Sequence, residues 1–286
     1  MGSISQRLHR KLASRSRNLP TRAPKRRSGE PLPGDIKDVG TLIREGLDPI
    51  HAAYAFTQQM SAQFAEGVSR WPEMREYATV VGEAEDEYLP GFPPMSPLTT
   101  SFFTTWALYD LRIGGAGDTI GTCQIEANDL IRMNADQLAA LKQLSDSRMG
   151  IYEHIGLDGN RVRLKELLSE QQFSCHSGSG YLGRSGELWY VRRLPPLLPD
   201  VADYHVIFTT PYILLSPKED WVQFLNRSLS KHPGDDQQQG LRRLLKDDPA
   251  PNYWNEFVLL AYHHHQSDAI FLKGIPDLRA TLPHAD

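Results

Sequence analysis

The sequence predicts an α+β fold: a helical block, then a small antiparallel β-barrel or roll, then C-terminal helices that pack back on it. Three observations predict it. Apolar residues recur every three to four positions through residues 41–147, the period of amphipathic helices. Residues 149–215 switch to short alternating runs bounded by Gly, Asp, Asn and Pro, the pattern of strands in a small barrel. The helical period returns over residues 216–286. A chain of 286 residues with 40% hydrophobic content and 23% charge can bury a large core. Residues 35–286 are therefore expected to form a single α+β domain behind a basic tail and linker, 1–34.

The helices follow in order. Asp48-Pro49 opens one, with Asp as N-cap and Pro in the first turn, where its missing N–H costs nothing. Phe56, Met60, Phe64 and Val68 repeat every four residues as its buried stripe, and Pro72 ends or kinks it. Acidic Glu83–Glu87 and the four prolines of Pro90–Pro97 read as a surface connection. Ser96-Pro97 restarts a helix through Phe102, Trp106 and Tyr109, stopped by Gly114-Gly115. Asp118–Arg132 is the next helix, and Asn134 caps another whose Leu138, Leu141 and Leu144 face inward. After the strands, Ser216-Pro217-Lys218-Glu219 reads as a capping box. Its helix has Trp221, Phe224, Leu225 and Leu229 on the dry side. Leu241–Lys246 forms a short amphipathic turn, Asn252–Gln266 a final helix, and Asp268–Leu278 a short strand or helix.

The β block is more specific. Met149–Leu157 and Arg161–Leu168 flank Asp158-Gly159-Asn160, a hairpin signal. Val162 and Leu164 alternate with Arg161, Arg163 and Lys165, giving one dry and one wet face. Gln172–His176, Glu187–Leu194, Tyr204–Thr209 and Tyr212–Leu215 are further strands, with a Gly/Ser-rich loop over Ser177–Gly186.

The order Trp106-x-x-x-Asp110, Ser147, Tyr152-Glu153, Val162-x-Leu164, Leu167-Leu168, Gly186, Leu188, Arg192 and Pro195 resembles a module of uncharacterised bacterial proteins. Some of those also carry a zinc-binding SEC-C motif. The resemblance covers roughly residues 97–215 and departs from the module's pattern at Glu166, Ser169-Glu170 and Glu187. It implies a helix-plus-barrel fold and no chemistry. The SEC-C motif is absent, since Cys123 and Cys175 are the chain's two cysteines.

Two distant cysteines argue against a disulfide scaffold and point to a reducing cytoplasm. No apolar run reaches membrane-spanning length. The net charge of −4 hides an asymmetry: residues 1–29 hold nine basic residues and no acid. That leaves 22 of the 31 basic residues against all 35 acidic ones, a net −13 for the body. The tail lacks the apolar surface to order itself and is expected to be disordered. It either lies on the acidic body, makes weak non-specific contact with nucleic acid, or acts as a targeting segment.

No motif specifies a reaction. Tyr262-His263-His264-His265-Gln266-Ser267-Asp268 invites a functional reading. Consecutive helical histidines point ~100° apart, so three cannot ligate one metal from a regular helix. His264 and Asp268, four apart, share a face, and Glu256 lies two turns before His263. Partners would come from Asp110, His154, His176 or His205. The competing reading is structural, with His264 buried against Asp268 and its neighbours solvated. Cys175-His176 looks like a nucleophile and base, but adjacent strand residues face opposite ways. Cys123 sits on an apolar helix face, and Asp110 caps a helix or pairs with an arginine. Arg161, Arg163, Arg192 and Arg193, with Trp189 and Tyr190, form a candidate face for an acidic protein or oligonucleotide. The alternative is ordinary solvated strand charge, and the acidic body opposes oligonucleotide binding. The leading expectation is a cytoplasmic binding or scaffold protein that uses the barrel and needs no cofactor. The rival is a hydrolase or metalloprotein centred on the His-rich helix.

Overall fold

A computed structural model describes residues 37–69, 75–88, 99–113, 117–131, 133–198, 200, 203–231, 236–247 and 253–285, with 6, 10 and 11. The rest of the basic tail, the Glu30–Gly34 linker, Pro72, the Pro90–Pro97 stretch and the Gly114-Gly115 stop lie outside the described residues.

The helical block comprises α1 (Val39–Arg44), α2 (Pro49–Ser69), α3 (Arg75–Tyr88), α4 (Thr99–Tyr109), α5 (Ile120–Glu126), α6 (Asn128–Ile131) and α7 (Ala135–Asp146). Asp48 caps α2 as expected: its Oδ1 accepts from the backbone N–H of Ile50 and of His51. Asn134 and Gln137 form a reciprocal capping box on α7. Two expectations change. Glu83–Glu87 lies inside α3 and is not a connection. The single helix expected over Asp118–Arg132 is two, capped at Thr119.

The strands are β1 (Met149–Asp158), β2 (Arg161–Glu166), β3 (Gln172–Ser177), β4 (Leu188–Leu194), β5 (His205–Ile207) and β6 (Tyr212–Leu214). They pair in the order β1-β2-β3-β5-β4, and β4 pairs back on β1, closing a five-stranded barrel. With β1 shared by both halves and β3 parallel to β5, this is the connectivity of an OB-type barrel. A bulge between His154 and Gly156 bends β1 around the closure.

The C-terminal region holds α8 (Lys218–Leu229), α9 (Gln237–Arg242), a π-helical turn over Arg243–Asp247, α10 (Tyr253–Ala261), β7 (Tyr262–His265), β8 (Ile270–Leu272) and a 3-10 turn at Arg279–Thr281. β8 falls where a short strand or helix was expected, whereas β7 replaces the end of the helix expected over Asn252–Gln266. β8 joins β6 in parallel and β7 pairs with β8, so the sheet runs on from β4 through β6, β8 and β7. The expected capping box at Ser216 is also absent. The Ser216 Oγ accepts from the Gly274 N–H instead, tying α8's entry to the turn after β8, and α8 has no side-chain cap.

Three cores result. Tyr152, Val162, Leu164, Cys175, Trp189, Val191 and Ile207 fill the barrel. Met149, Ile151, Leu188, Tyr190, Tyr212 and Leu214 form its outer face, covered by α4, α8 and α10. The helical block buries Phe56, Met60, Phe64, Tyr109, Cys123, Leu141 and Leu144 with Leu194 and Phe208. One ionic network crosses the seam. Arg192, fully buried, pairs with Asp110 and donates to the Ser147 carbonyl (3.1 Å) and hydroxyl (2.8 Å). Lys246 adds a second cation 3.2 Å from Asp110 and donates to the Ser145 and Ser147 carbonyls. Asp110, Ser147 and Arg192 are thus joined as interior scaffold.

Candidate functional site at the barrel mouth

The site follows from register. β2 pairs with β3 so that Val162 opposes Cys175 and both point into the barrel. One step toward the hairpin, Arg161 and His176 therefore fall on the outer face. Asp158, Gly159 and Asn160 turn the hairpin beside them, and Tyr204 precedes β5. The start of α2 closes the other side with Asp48 and His51. These eight residues line an open cleft of about 510 Å³.

Its chemistry is polar and aromatic. Arg161 donates to Asp158 Oδ2 at 2.6 Å, and its guanidinium lies 5.2 Å from the Tyr204 ring centroid. His51 Nδ1 faces His176 Nε2 at 3.3 Å, with the rings edge to face. Both imidazoles are half-buried. Burial pushes the His176 pKa down and His51 adds to that, while Asp48 opposes it. Burial and Asp48 raise the Tyr204 phenol, with Arg161 opposing.

Helix α2 is seated here by one face. His51, Tyr54 and Gln58 recur at helical spacing and meet His176, Gly178 and the Phe208 carbonyl. A Cβ on Gly178 would lie 2.3 Å from the Tyr54 ring, so only glycine admits the helix this close. The Gly/Ser-rich loop thus begins as a helix seat.

Of the residues singled out in the sequence, Arg161 and His176 line the cleft, His176 apart from both Cys175 and the C-terminal histidines it was weighed with. Arg163 is exposed on the wet face of β2 and donates to Gln172. Trp189 and Arg192 are corrected: both are fully buried, Trp189 inside the barrel and Arg192 in the ionic network, so neither can meet a partner. β4 has no wet face, because the barrel fills one side and helices cover the other.

The His-rich helix is corrected too. α10 ends at Ala261, and His263, His264 and His265 lie exposed on the edge strand β7. His264 is not buried against Asp268; its ring stacks on Phe271 at 4.3 Å. His265 Nδ1 meets the Tyr262 hydroxyl at 2.7 Å. Glu256 is exposed on α10, and among the described residues no hydrogen bond or ion pair joins it or Asp268 to these histidines. The suggested partners are elsewhere. Asp110 is in the ionic network. His154 is a satisfied core histidine, accepting from the Gly156 N–H through Nδ1 and donating to the Leu182 carbonyl through Nε2. His205 sits against Arg193. Cys123 and Cys175 are free thiols, and burial pushes each up to about 12, so neither is a thiolate near neutrality. Among the described residues no group of three His, Cys, Asp or Glu side chains could hold a metal ion, and no helix is long and apolar enough to cross a membrane.

The sequence reading missed His51, His176 and Tyr204 as a group. Asp48-Pro49 marked the helix start, but nothing local says which face of α2 meets β3, 125 residues on.

Two other hollows compete. A larger one, about 670 Å³, is lined by Arg148, Arg242, Arg243, Asp146 and Asp236. It has no aromatic group, and Arg148 is committed to Glu166 at 2.8 Å. An apolar hollow of about 310 Å³ lies among α2–α5, lined by Val81, Phe103, Ala107 and Ile120. It offers few polar groups to orient a ligand.

No protein-family model, curated protein or solved structure matches this chain.

Proposed function

We propose that the chain is a cytoplasmic binding protein whose ligand site is the cleft at the barrel mouth. One observation carries this reading: Arg161, Tyr204, His51, His176 and Asp48, from four separate parts of the fold, converge on one concave surface. Barrels of this connectivity use the β2–β3 face and the adjoining loops for ligands, which supports the location by analogy of fold alone. The lining favours an uncharged, ring-bearing ligand rich in hydroxyl or amide groups. Tyr204 and the imidazoles offer ring faces, and Asn160, Asp48 and Asp158 offer hydrogen bonds. Arg161 is already neutralised by Asp158, and Asp48 adds a negative charge, so a polyanion is disfavoured here. An oligonucleotide or acidic partner would have to use the tail.

The catalytic or metal-binding rival loses the feature that carried it, since the three histidines lie exposed on an edge strand and not on a helix. Calorimetric titration with panels of nucleosides and free oligosaccharides, and with their phosphorylated forms, tests the proposal. The expected result is binding of the uncharged forms that falls at least about tenfold in Tyr204→Ala and in Arg161→Ala. Preference for the phosphorylated forms, or binding indifferent to both substitutions, contradicts it.

A further inference from the structure

We propose that the His51–His176 pair is a proton-operated gate: uptake of a second proton breaks the pair and turns a near-neutral cleft cationic. This regulation rests on the cleft being the ligand site, but the gate is tested without a ligand.

The geometry carries it. Nδ1 of His51 and Nε2 of His176 face each other at 3.3 Å, one ring on α2 and the other on β3. A neutral imidazole has one N–H and one lone pair, so the contact holds when one nitrogen donates and the other accepts. With both rings protonated, two N–H groups oppose each other and two positive charges share half-buried ground.

The surrounding groups do not relieve that conflict equally. From α2, Asp48 favours the charged form and Tyr54 packs its ring against both imidazoles. From the β1–β2 hairpin come Asp158 and Arg161, which neutralise each other. From the segment before β5 comes Tyr204. Among the described residues lining the cleft, Asp48 is the carboxylate not already matched to Arg161. It is exposed and spends its Oδ1 on the helix N–H groups, so it can stabilise one cation better than two. Burial and His51 both lower the His176 pKa, in keeping with a pair that resists the second proton.

The moving part is the His51 ring. Ile50, Ala52 and Ala53 are buried and anchor the first turns of α2. His176 is held on a paired strand. Both rings border the open cleft, and rotation of the His51 side chain carries its ring away from His176 into that space.

Imidazole NMR on the full chain tests this, with ring signals assigned from single His→Gln variants and pH lowered from about 8 to about 4. The expected result is a contact (NOE) between the two rings at neutral pH that is lost on acidification, with the rings titrating in two separated steps. In His51→Gln, His176 should then take up its proton at higher pH than in the parent chain. A ring contact that survives to the acid limit overturns the gate. So does a His176 titration identical in the parent and in His51→Gln. The ring contact is read on the parent protein, so the test does not depend on a variant folding. Failure of the calorimetric titrations would overturn the ligand site and leave this result standing.

Discussion

Asp110, Arg192 and Lys246 form a buried cluster with two cations and one anion. The imbalance predicts an order of damage. Removing Asp110 leaves two unpaired buried cations, so Asp110→Asn should cost about 3–5 kcal/mol in urea denaturation. Removing Lys246 leaves a neutral Asp110–Arg192 pair, so Lys246→Met should cost clearly less. Equal losses would contradict the network as described. The histidines sort by the same logic of environment. His264→Ala, at an exposed edge, should change stability by no more than about 0.5 kcal/mol. Burial, reinforced by Arg193, pushes His205 down to about 4, against an opposing hydrogen bond to the Leu194 carbonyl. A histidine with a depressed folded pKa takes up protons first in the unfolded chain. Its contribution is complete above the unfolded value near 6.5 and is lost as pH falls from there to about 4. Because His205 is only partly buried, solvent screening holds the effect to about 1 kcal/mol. Melting temperature should drop over that window, and less so in His205→Gln. An identical drop in both proteins would remove His205 as a cause.

The seating of α2 is the element-scale counterpart. The Tyr54 ring packs directly against Gly178, so Gly178→Ala should cost about 1–3 kcal/mol by displacing the helix. Adding Tyr54→Ala should recover part of that loss, and strict additivity of the two would contradict the contact. The barrel strands were the most legible elements. Their turns carry local chemistry, as at Asp158-Gly159-Asn160, and the observed ends fall within a few residues of the expected ones. β7 was illegible for the opposite reason. Tyr-His-His-His has no strand period, and it becomes a strand because Ile270–Leu272 supplies a ladder after a turn closed by Gln266 and Ala269. β4 failed differently. Its strand was legible, but alternation cannot reveal that barrel and helices cover both faces, which is what hides Trp189 and Arg192.

At the scale of the whole molecule, the C-terminal region completes the sheet and the outer core. β8 pairs with β6, and Trp221, Phe224, Trp254 and Phe257 pack with Tyr190, Tyr212 and Ile270 in the same core. Removing residues 262–286 should therefore abolish cooperative urea unfolding of the remainder, whereas removing residues 1–29 should leave the melting temperature nearly unchanged. A truncated chain lacking 262–286 that unfolds with the parent's midpoint would contradict this account of the core. The candidate site exists only at this scale, since its residues come from α2, the β1–β2 hairpin, β3 and the segment before β5. That is why the sequence singled out Arg161 and His176 separately, each for other chemistry, and not the cleft they share. Whether this cleft takes the ligand is read by a small-molecule screen followed through backbone NMR shifts on the isotope-labelled full chain. Shifts caused by binders should cluster on Asp48, His51, Asp158–Arg161, His176 and Tyr204. Shifts that gather instead at His263–His265 or around Arg148 and Arg242, or the absence of any binder at the cleft, would contradict it.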